Sequence, residues 1–314
     1  MKKWLAAIFI ILLVIVSATY FFIPSRISIN SSISIETNPQ GLKRVLFSKD
    51  WAKWWPGNTN LNKPGSLNQY SYKGYTYNIN GIKISIINVQ IGNGIVSAST
   101  ALNIFPVKEH SVQLHWVGIV PVSNNPIKRI GIYFQSKKIQ KDIDSLMQHM
   151  QSVFSKIENV YGINIYQEAV KDSILVSTSG TTDFYPSNEY IYNLLGQVRN
   201  YIRSQSASET GNPMLNIHTT DGINYLTRVA IPIDRRLPSI KNIEHKWMMG
   251  GGKILVAEVT GGPASINKAL KQMENYIHDY GRTVPAIPFQ SLVTDRLKVP
   301  DTTKWVTKIY YPVM

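Results

Sequence analysis

The chain contains no cysteine, which excludes disulfides, thiolate metal sites and a cysteine nucleophile. That absence leaves the compartment open. Acid is scarce: 19 Asp and Glu stand against 33 Lys and Arg in 314 residues, a formal net charge of +14. His110, His115, His149, His218, His245 and His278 are present, but no two sit at helical ligand spacing and no HExxH or HxH occurs. No metal site is therefore expected. The G-x-S-x-G turn of serine hydrolases is also missing. Gly250-Gly251-Gly252 precedes a strand and lacks Gly-Lys-Ser/Thr, so it reads as a flexible lead and not as a phosphate loop. These patterns supply no catalytic residue and no cofactor.

The basic excess is uneven. Residues 1–170 carry 17 Lys/Arg and 7 Asp/Glu, whereas residues 171–314 carry 16 and 12. A basic surface of this kind suits anionic lipid headgroups. The dense Arg/Lys runs interleaved with aromatics that mark nucleic-acid sites are absent, so no nucleic-acid partner is expected.

What is abundant is apolar sequence at the N-terminus. Trp4 to Ile23 carries no charge. As a helix of ~1.5 Å rise per residue, a run of about 20 residues spans a hydrocarbon core of ~30 Å. Trp4 and Tyr20-Phe21-Phe22 mark its two ends, as interfacial aromatics do, and Pro24 stops it. Lys2 and Lys3 favour a cytoplasmic N-terminus. The expectation is a single-pass anchor over residues 1–25, with the remainder outside the cytoplasm. The rival is an exported chain cleaved after Val16-Ser17-Ala18, although the apolar run continues past that site.

Arg26 to Glu36 alternates with strand periodicity. Thr37-Asn38-Pro39 then starts a short helix. Strands are predicted at Tyr75–Ile79, Ile82–Ile91, Ile95–Phe105, Ser111–Ile119 and Arg129–Phe134, with turns at Asn80-Gly81, Gly92-Asn93-Gly94 and Asn124-Asn125-Pro126. Lys137 to Asn159 changes period: Ile139, Ile143, Leu146, Met150, Val153, Phe154 and Ile157 mark one long amphipathic helix. The entry Ile33-Ser34-Ile35-Glu36-Thr37-Asn38-Pro39 and the segment Asp50-Trp51-Ala52-Lys53-Trp54-Trp55-Pro56-Gly57 resemble the START-like, or SRPBCC, superfamily. The resemblance covers about residues 27–160, within a domain bounded at 26–165. It implies a sheet gripping a long helix around a cavity for hydrophobic ligands.

Residues 173–314 repeat themselves. Ile174-Leu175-Val176 returns as Ile254-Leu255-Val256, and Val229-Ala230-Ile231-Pro232-Ile233 as Ile309-Tyr310-Tyr311-Pro312-Val313. Each half reads strand, helix, strand, strand. Ile266, Leu270, Met273 and Ile277 form the stripe of the second helix. Two such halves side by side leave a groove at a pseudo-twofold axis. This pattern, with Gly261-Gly262-Pro263, Pro288 to Asp295 and Trp305 to Val313, is similar to the GyrI-like small-molecule-binding domain found as an effector domain of AraC-type activators. The expected fold class is thus α+β: a transmembrane helix, a helix-grip domain, and a duplicated GyrI-like domain over residues 170–314.

The resemblance implies a groove for amphipathic, often cationic, molecules. Ligand-binding and hydrolytic members carry a groove glutamate followed two residues later by tyrosine, where this chain has Gln290 and Leu292. A buried carboxylate pairs with a cation or acts as a base; an amide does neither well. Glu258 is the candidate substitute acid, and alternation places it with Ile254 and Val256 on one strand face. The ligand-binding candidates are Tyr185, Tyr225, Trp247, Glu258, Phe289, Gln290 and Trp305. The expected function is a membrane-anchored, non-catalytic binding protein for a small apolar or amphipathic ligand. The alternatives are a GyrI-like hydrolase that relies on Glu258, or an envelope scaffold whose cavities are filled.

Overall fold

The computed structural model describes residues 2–48, 51–57, 68–171, 173–219, 221–248 and 250–314. The chain divides into two compact units, Met1–Val160 and Tyr161–Met314.

The first unit opens with helix α1 (Lys2–Phe22). The side chains of Lys2, Lys3 and residues 5–7 lie outside those described, so the continuous stretch is Ile8–Phe22. That is shorter than the ~20 apolar residues of a spanning helix. Among the described residues no helix is long and apolar enough to cross a membrane. The expectation of a transmembrane helix is therefore not met there. Side chains from Ile8 to Ile15 are nonetheless all more than half exposed, as are Trp4, Phe21 and Phe22. The base of α1 is held firmly. Arg129, buried, donates from Nε to the Ile23 carbonyl at 2.9 Å and lies 4.9 Å over the Tyr20 ring.

Strand β1 (Arg26–Ile35) leads to helix α2 (Pro39–Phe47), a 3-10 turn (Trp51–Lys53), and strands β2 (Gln69–Tyr72), β3 (Tyr75–Lys83), β4 (Ile86–Gly92), β5 (Ser97–Lys108) and β6 (Ser111–Pro121). They form one antiparallel sheet in the order β1-β6-β5-β4-β3-β2. Asn38 starts α2 by accepting from the N–H groups of Gln40 and Gly41. The two-residue turn Lys73-Gly74 has positive φ at both positions, which matches the twist of the hairpin it closes. Helix α3 (Pro126–Phe154) packs on this sheet, with Ile139, Ile143, Leu146 and Met150 buried, and the short α4 (Ile157–Tyr161) follows.

Two local expectations are corrected. Arg129–Phe134 is helical, not a strand, because Asn125 Oδ1 accepts from the N–H groups of Ile127 and Lys128 and Pro126 sits in the first turn. Asn80-Gly81 is not a turn: β3 runs through it with a bulge, and the chain reverses between Lys83 and Ile86. Asp50 lies outside the described residues.

The helix-grip interior implied by the START-like resemblance is filled with rings. Trp51, Trp54 and Trp55 are buried. Trp54 meets Phe154 of α3 at 5.4 Å, Trp55 meets Tyr77 of β3 at 5.1 Å, and Tyr77 meets Trp116 of β6 at 6.3 Å. This chain of aromatic contacts bridges helix and sheet, so the tryptophans serve as core.

The second unit comprises β7 (Tyr166–Ala169), β8 (Ser173–Thr182), α5 (Asn188–Ser204), β9 (Met214–Thr219), β10 (Tyr225–Ile233), β11 (Glu244–Met248), β12 (Lys253–Thr260), α6 (Pro263–Asp279), β13 (Phe289–Leu292) and β14 (Val306–Val313). The strand order is β11-β8-β10-β9-β13-β14-β12-β7, all antiparallel. The inner six strands are the duplication made visible: β8-β10-β9 mirrors β12-β14-β13. In the register, Val229 faces Leu215 and Ile309 faces Gln290. Leu215 and Gln290 are thus equivalent positions of the two halves, and they pair with each other across the central β9–β13 seam. The pseudo-twofold axis passes between them. Helices α5 and α6 cover one face of this sheet, burying Val198, Ile202, Met273 and Ile277.

Candidate functional site

Strand alternation gives each position a face. Leu215, Val229, Gln290, Leu292, Ile309 and Tyr311 are buried, and Leu215, Val229 and Leu292 belong to the core under α5. Met214, Asn216, Arg228, Ala230, Phe289 and Pro312 point the other way. Among the cavities of the described residues, two lie on opposite faces of this sheet.

On the helix-free face lies a cavity of about 650 Å³. Seven of the eight strands contribute to it. Its walls include Leu175, Met214, Ala230, Trp247, Met248, Ile254, Ile287, Phe289 and Pro312. The sheet curls enough for both edges to reach it. Val170, after β7, donates to the Gly252 carbonyl at 2.7 Å, and the Gly251 N–H returns to the Val170 carbonyl at 3.0 Å. This ties the β7–β8 connection to the β11–β12 connection. Phe289 is held flat against Tyr310, with ring centres 4.9 Å apart and planes at 11°. Trp247 is 55 % exposed and carries Arg236 over its ring at 5.4 Å. Arg228, Lys246 and Lys253 bring positive charge to this largely apolar lining, which among the described residues contains no Asp or Glu side chain. Arg228 donates to Asn216 Oδ1 at 3.2 Å, and Lys246 pairs with Glu244 at 3.0 Å.

On the helix-covered face a groove of about 300 Å³ sits over the pseudo-twofold seam. The beginnings of both long helices border it, through Tyr185, Pro186, Ser187, Asn188 and Ile191 for α5 and Pro263, Ile266 and Asn267 for α6. Its floor holds Leu215, Ile217 and Gln290, and Arg296 enters from the loop after β13. Gln290 is 7 % exposed, and its amide has no hydrogen-bond partner among the described residues. Arg296 is 8 % exposed; its guanidinium lies 4.9 Å over the Trp305 ring and donates to Thr307 Oγ1 at 3.1 Å. Its backbone N–H donates to the Tyr192 hydroxyl at 2.7 Å. Burial pushes the Arg296 guanidinium down from its ordinary value, opposed by the nearby Tyr192 and Tyr185 phenols. An arginine starts so high that it stays charged. Burial also pushes the Tyr185 phenol up, with Arg296 acting in the other direction.

The seven candidate residues therefore do not share one groove. Tyr185 and Gln290 line the groove, and Tyr225 meets Tyr185 edge-on at 5.6 Å. Trp305 is buried beneath Arg296, its indole N–H held by the Val299 carbonyl at 2.8 Å. Trp247 and Phe289 line the cavity on the opposite face. Glu258 lines neither; its half-exposed side chain lies 3.6 Å from Lys308. The period-2 rule put Glu258 on the correct strand face, but the neighbouring strand then supplies a lysine at the opposed position. Arg296 was not anticipated. It stands alone in a loop, and no spacing in the sequence marks it. Among the described residues no cluster of His, Asp or Glu could hold a metal ion.

No protein-family model matches the chain, and no curated protein sequence matches it. Solved structures similar to part of this chain do exist. The C-terminal domain of EcmrR aligns over 48 % of this chain and 98 % of that one, with 14 % identity and a TM-score of 0.43. A hydrolase from Listeria innocua aligns over 48 % and 91 %, with 11 % identity and a TM-score of 0.35. SAV2435, solved bound to tetraphenylphosphonium, aligns over 48 % and 94 %, with 16 % identity and a TM-score of 0.33. Identities and scores are low, and the duplicated topology rests on the strand pairing described above.

Proposed function

We propose that this chain is a non-catalytic binding protein, tethered to a membrane by residues 4–23 and facing away from the cytoplasm, whose C-terminal unit takes an apolar or amphipathic small molecule. The observation that carries this reading is the 650 Å³ cavity on the helix-free sheet face, walled by Trp247, Phe289 and three methionines. A concave, largely apolar space with a few placed polar groups is the form that small-molecule sites take. Methionine and aromatic side chains adapt to apolar guests of varied shape. The charge-free run from Trp4 to Ile23 and the exposed side chains of Ile8 to Ile15 support the tether, because exposed apolar side chains on a helix find their partner in lipid. The hydrolytic alternative loses its only proposed acid, since Glu258 pairs with Lys308 outside both cavities.

For the first unit, the aromatic fill between α3 and its sheet favours a START-like scaffold without a ligand.

The test is binding of a brominated long-chain alcohol to the full chain in lipid nanodiscs, read by quenching of tryptophan fluorescence. Burying ~100 Å² of the Trp247 ring against a guest contributes about 2.5 kcal/mol. W247A should therefore weaken binding by roughly ten- to a hundredfold, and W247F should remove the Trp247 share of the quenching. Equal quenching in W247F and the parent chain overturns the assignment.

A further inference from the structure

The groove over the pseudo-twofold seam has an electrostatic character independent of the cavity behind it. Gln290 occupies its floor as a neutral amide, 93 % buried and without a partner among the described residues. The full charge lining the groove is Arg296. A guanidinium presents five N–H donors in a planar fork. The described residues satisfy one of them, through Thr307 Oγ1, while the Trp305 ring supports the guanidinium from one side. No carboxylate lies within ion-pair distance of Arg296 among the described residues. The nearest acid in sequence, Asp295, is engaged with Lys298 at 3.6 Å and with the Leu297 N–H at 3.1 Å.

The helix that ends at the groove adds to this. Helix α6 is 17 residues long, and its N-cap is Gly262, which offers no side-chain acceptor; Pro263 follows, and the first turn has no acid. Its leading N–H groups and positive dipole end are therefore uncompensated. Helix α5 is better provided for: Ser187 accepts from the Tyr190 N–H, and Glu189 is held by Ser187 and its own backbone, below the usual carboxylate range. The attraction for negative charge is thus concentrated between Arg296 and the start of α6. Around these polar groups, Ile191, Leu215, Ile217 and Ile266 offer an apolar wall.

We propose that this groove binds a small organic monoanion: an apolar body lying against the isoleucines, with one carboxylate received by the Arg296 fork and the Gln290 amide. A single buried cation matches a single negative charge, and a fork of parallel N–H groups matches the two oxygens of a carboxylate. A cationic guest would meet an uncompensated guanidinium and a positive helix end at close range, with no Asp or Glu among the described lining residues to receive it. A groove built on this duplicated frame thus acquires anion selectivity from Arg296 and from the amide at its floor.

The experiment compares two probes of like shape and opposite charge, 3-phenylpropanoate and 3-phenylpropylammonium, titrated by calorimetry into the full chain at neutral pH. The carboxylate should bind at least tenfold more tightly than the amine. Q290E places an acid in the same groove as Arg296, and an internal ion pair should consume the fork. Carboxylate affinity should then fall by at least tenfold while amine affinity rises. R296M should abolish the preference. Q290E keeps the proposal testable if R296M fails to fold. Equal or tighter binding of the amine overturns the proposal, as does the absence of carboxylate binding at millimolar concentration, or a Q290E chain whose preference is unchanged. Neither Arg296 nor Gln290 lines the cavity on the other face. A negative result here therefore leaves the Trp247 test standing, and the reverse also holds.

Discussion

Gln290 offers a test in which stability and binding should move in opposite directions. Its pseudo-twofold mate is Leu215, the residue it faces across the β9–β13 seam. The two halves thus put a leucine and a glutamine into equivalent environments, and only the leucine suits them. Leu215 is almost fully buried within the core under α5. Gln290 is nearly as buried but gains no hydrogen bond for its amide among the described residues. Leaving a buried amide unsatisfied costs about 1–3 kcal/mol, and contact with groove water brings the figure toward the lower end. Q290L should therefore stabilise the second unit by about 1–2 kcal/mol. At ~2–4 °C per kcal/mol for a unit of this size, its thermal midpoint should rise by about 2–8 °C. The mirror variant L215Q loses apolar burial and buries a second amide, so it should cost about 3–4 kcal/mol. Hydrogen exchange at the amides of β13 and β14 reports this unit separately from the other. Stabilisation by Q290L together with loss of 3-phenylpropanoate binding is the expected pair of results. A Q290L chain destabilised by about 1 kcal/mol or more, or a neutral L215Q, refutes the reasoning, because either would mean that the amide has a structural partner.

Two further outcomes follow from the same geometry. A Cβ on Gly118 of β6 would lie 2.5 Å from Thr100 Cγ2 and 2.9 Å from the Ser99 carbonyl oxygen. Thr100 accepts from the Trp116 indole at 2.9 Å and donates to the Val89 carbonyl at 2.7 Å, so G118A should cost about 2–4 kcal/mol in the first unit. Adding T100S, which removes the clashing methyl and keeps the hydroxyl, should recover part of that loss in urea denaturation; no recovery would place the strain elsewhere. Burial, with Glu274 adding its charge, pushes the Tyr311 phenol up to about 12, above its ordinary value of about 10. The folded state then favours the protonated phenol, so its stabilising contribution is complete below about pH 10 and is lost as pH rises toward 12. Y311F should flatten the alkaline limb of the second unit's stability profile across that window, and an unchanged limb would assign the loss to other phenols.

Periodicity and repetition made much of this protein legible. The 80-residue recurrence of Val229 to Ile233 as Ile309 to Val313 is a sequence fact, and strand pairing turned it into two equivalent halves of one sheet. Alternation along Lys253 to Val259 correctly divided that strand between its faces, because a residue's side is local information. Local pattern failed where a cap outweighed it: Arg129, Gly131 and Tyr133 alternate with apolar neighbours as a strand would, but Asn125 and Pro126 had already committed the chain to helix.

The tryptophans of residues 51–55 show the limit of composition. The same residues could line a ligand cavity or fill a core, and only their distances to Phe154 and Tyr77 decide for the core. The sequence by itself determined that residues 4–23 form an apolar, charge-free run, that the chain is short of acid and lacks cysteine, and that residues 173–314 repeat themselves. Only the tertiary structure decided that Trp247 and Phe289 share a cavity on one sheet face while Gln290 faces the other. It also decided that the loop arginine Arg296 supplies the charge of that second site. The reason is physical: secondary structure follows from the order of neighbouring residues, whereas the sign and shape of a site depend on groups brought together from strands and loops far apart in the chain.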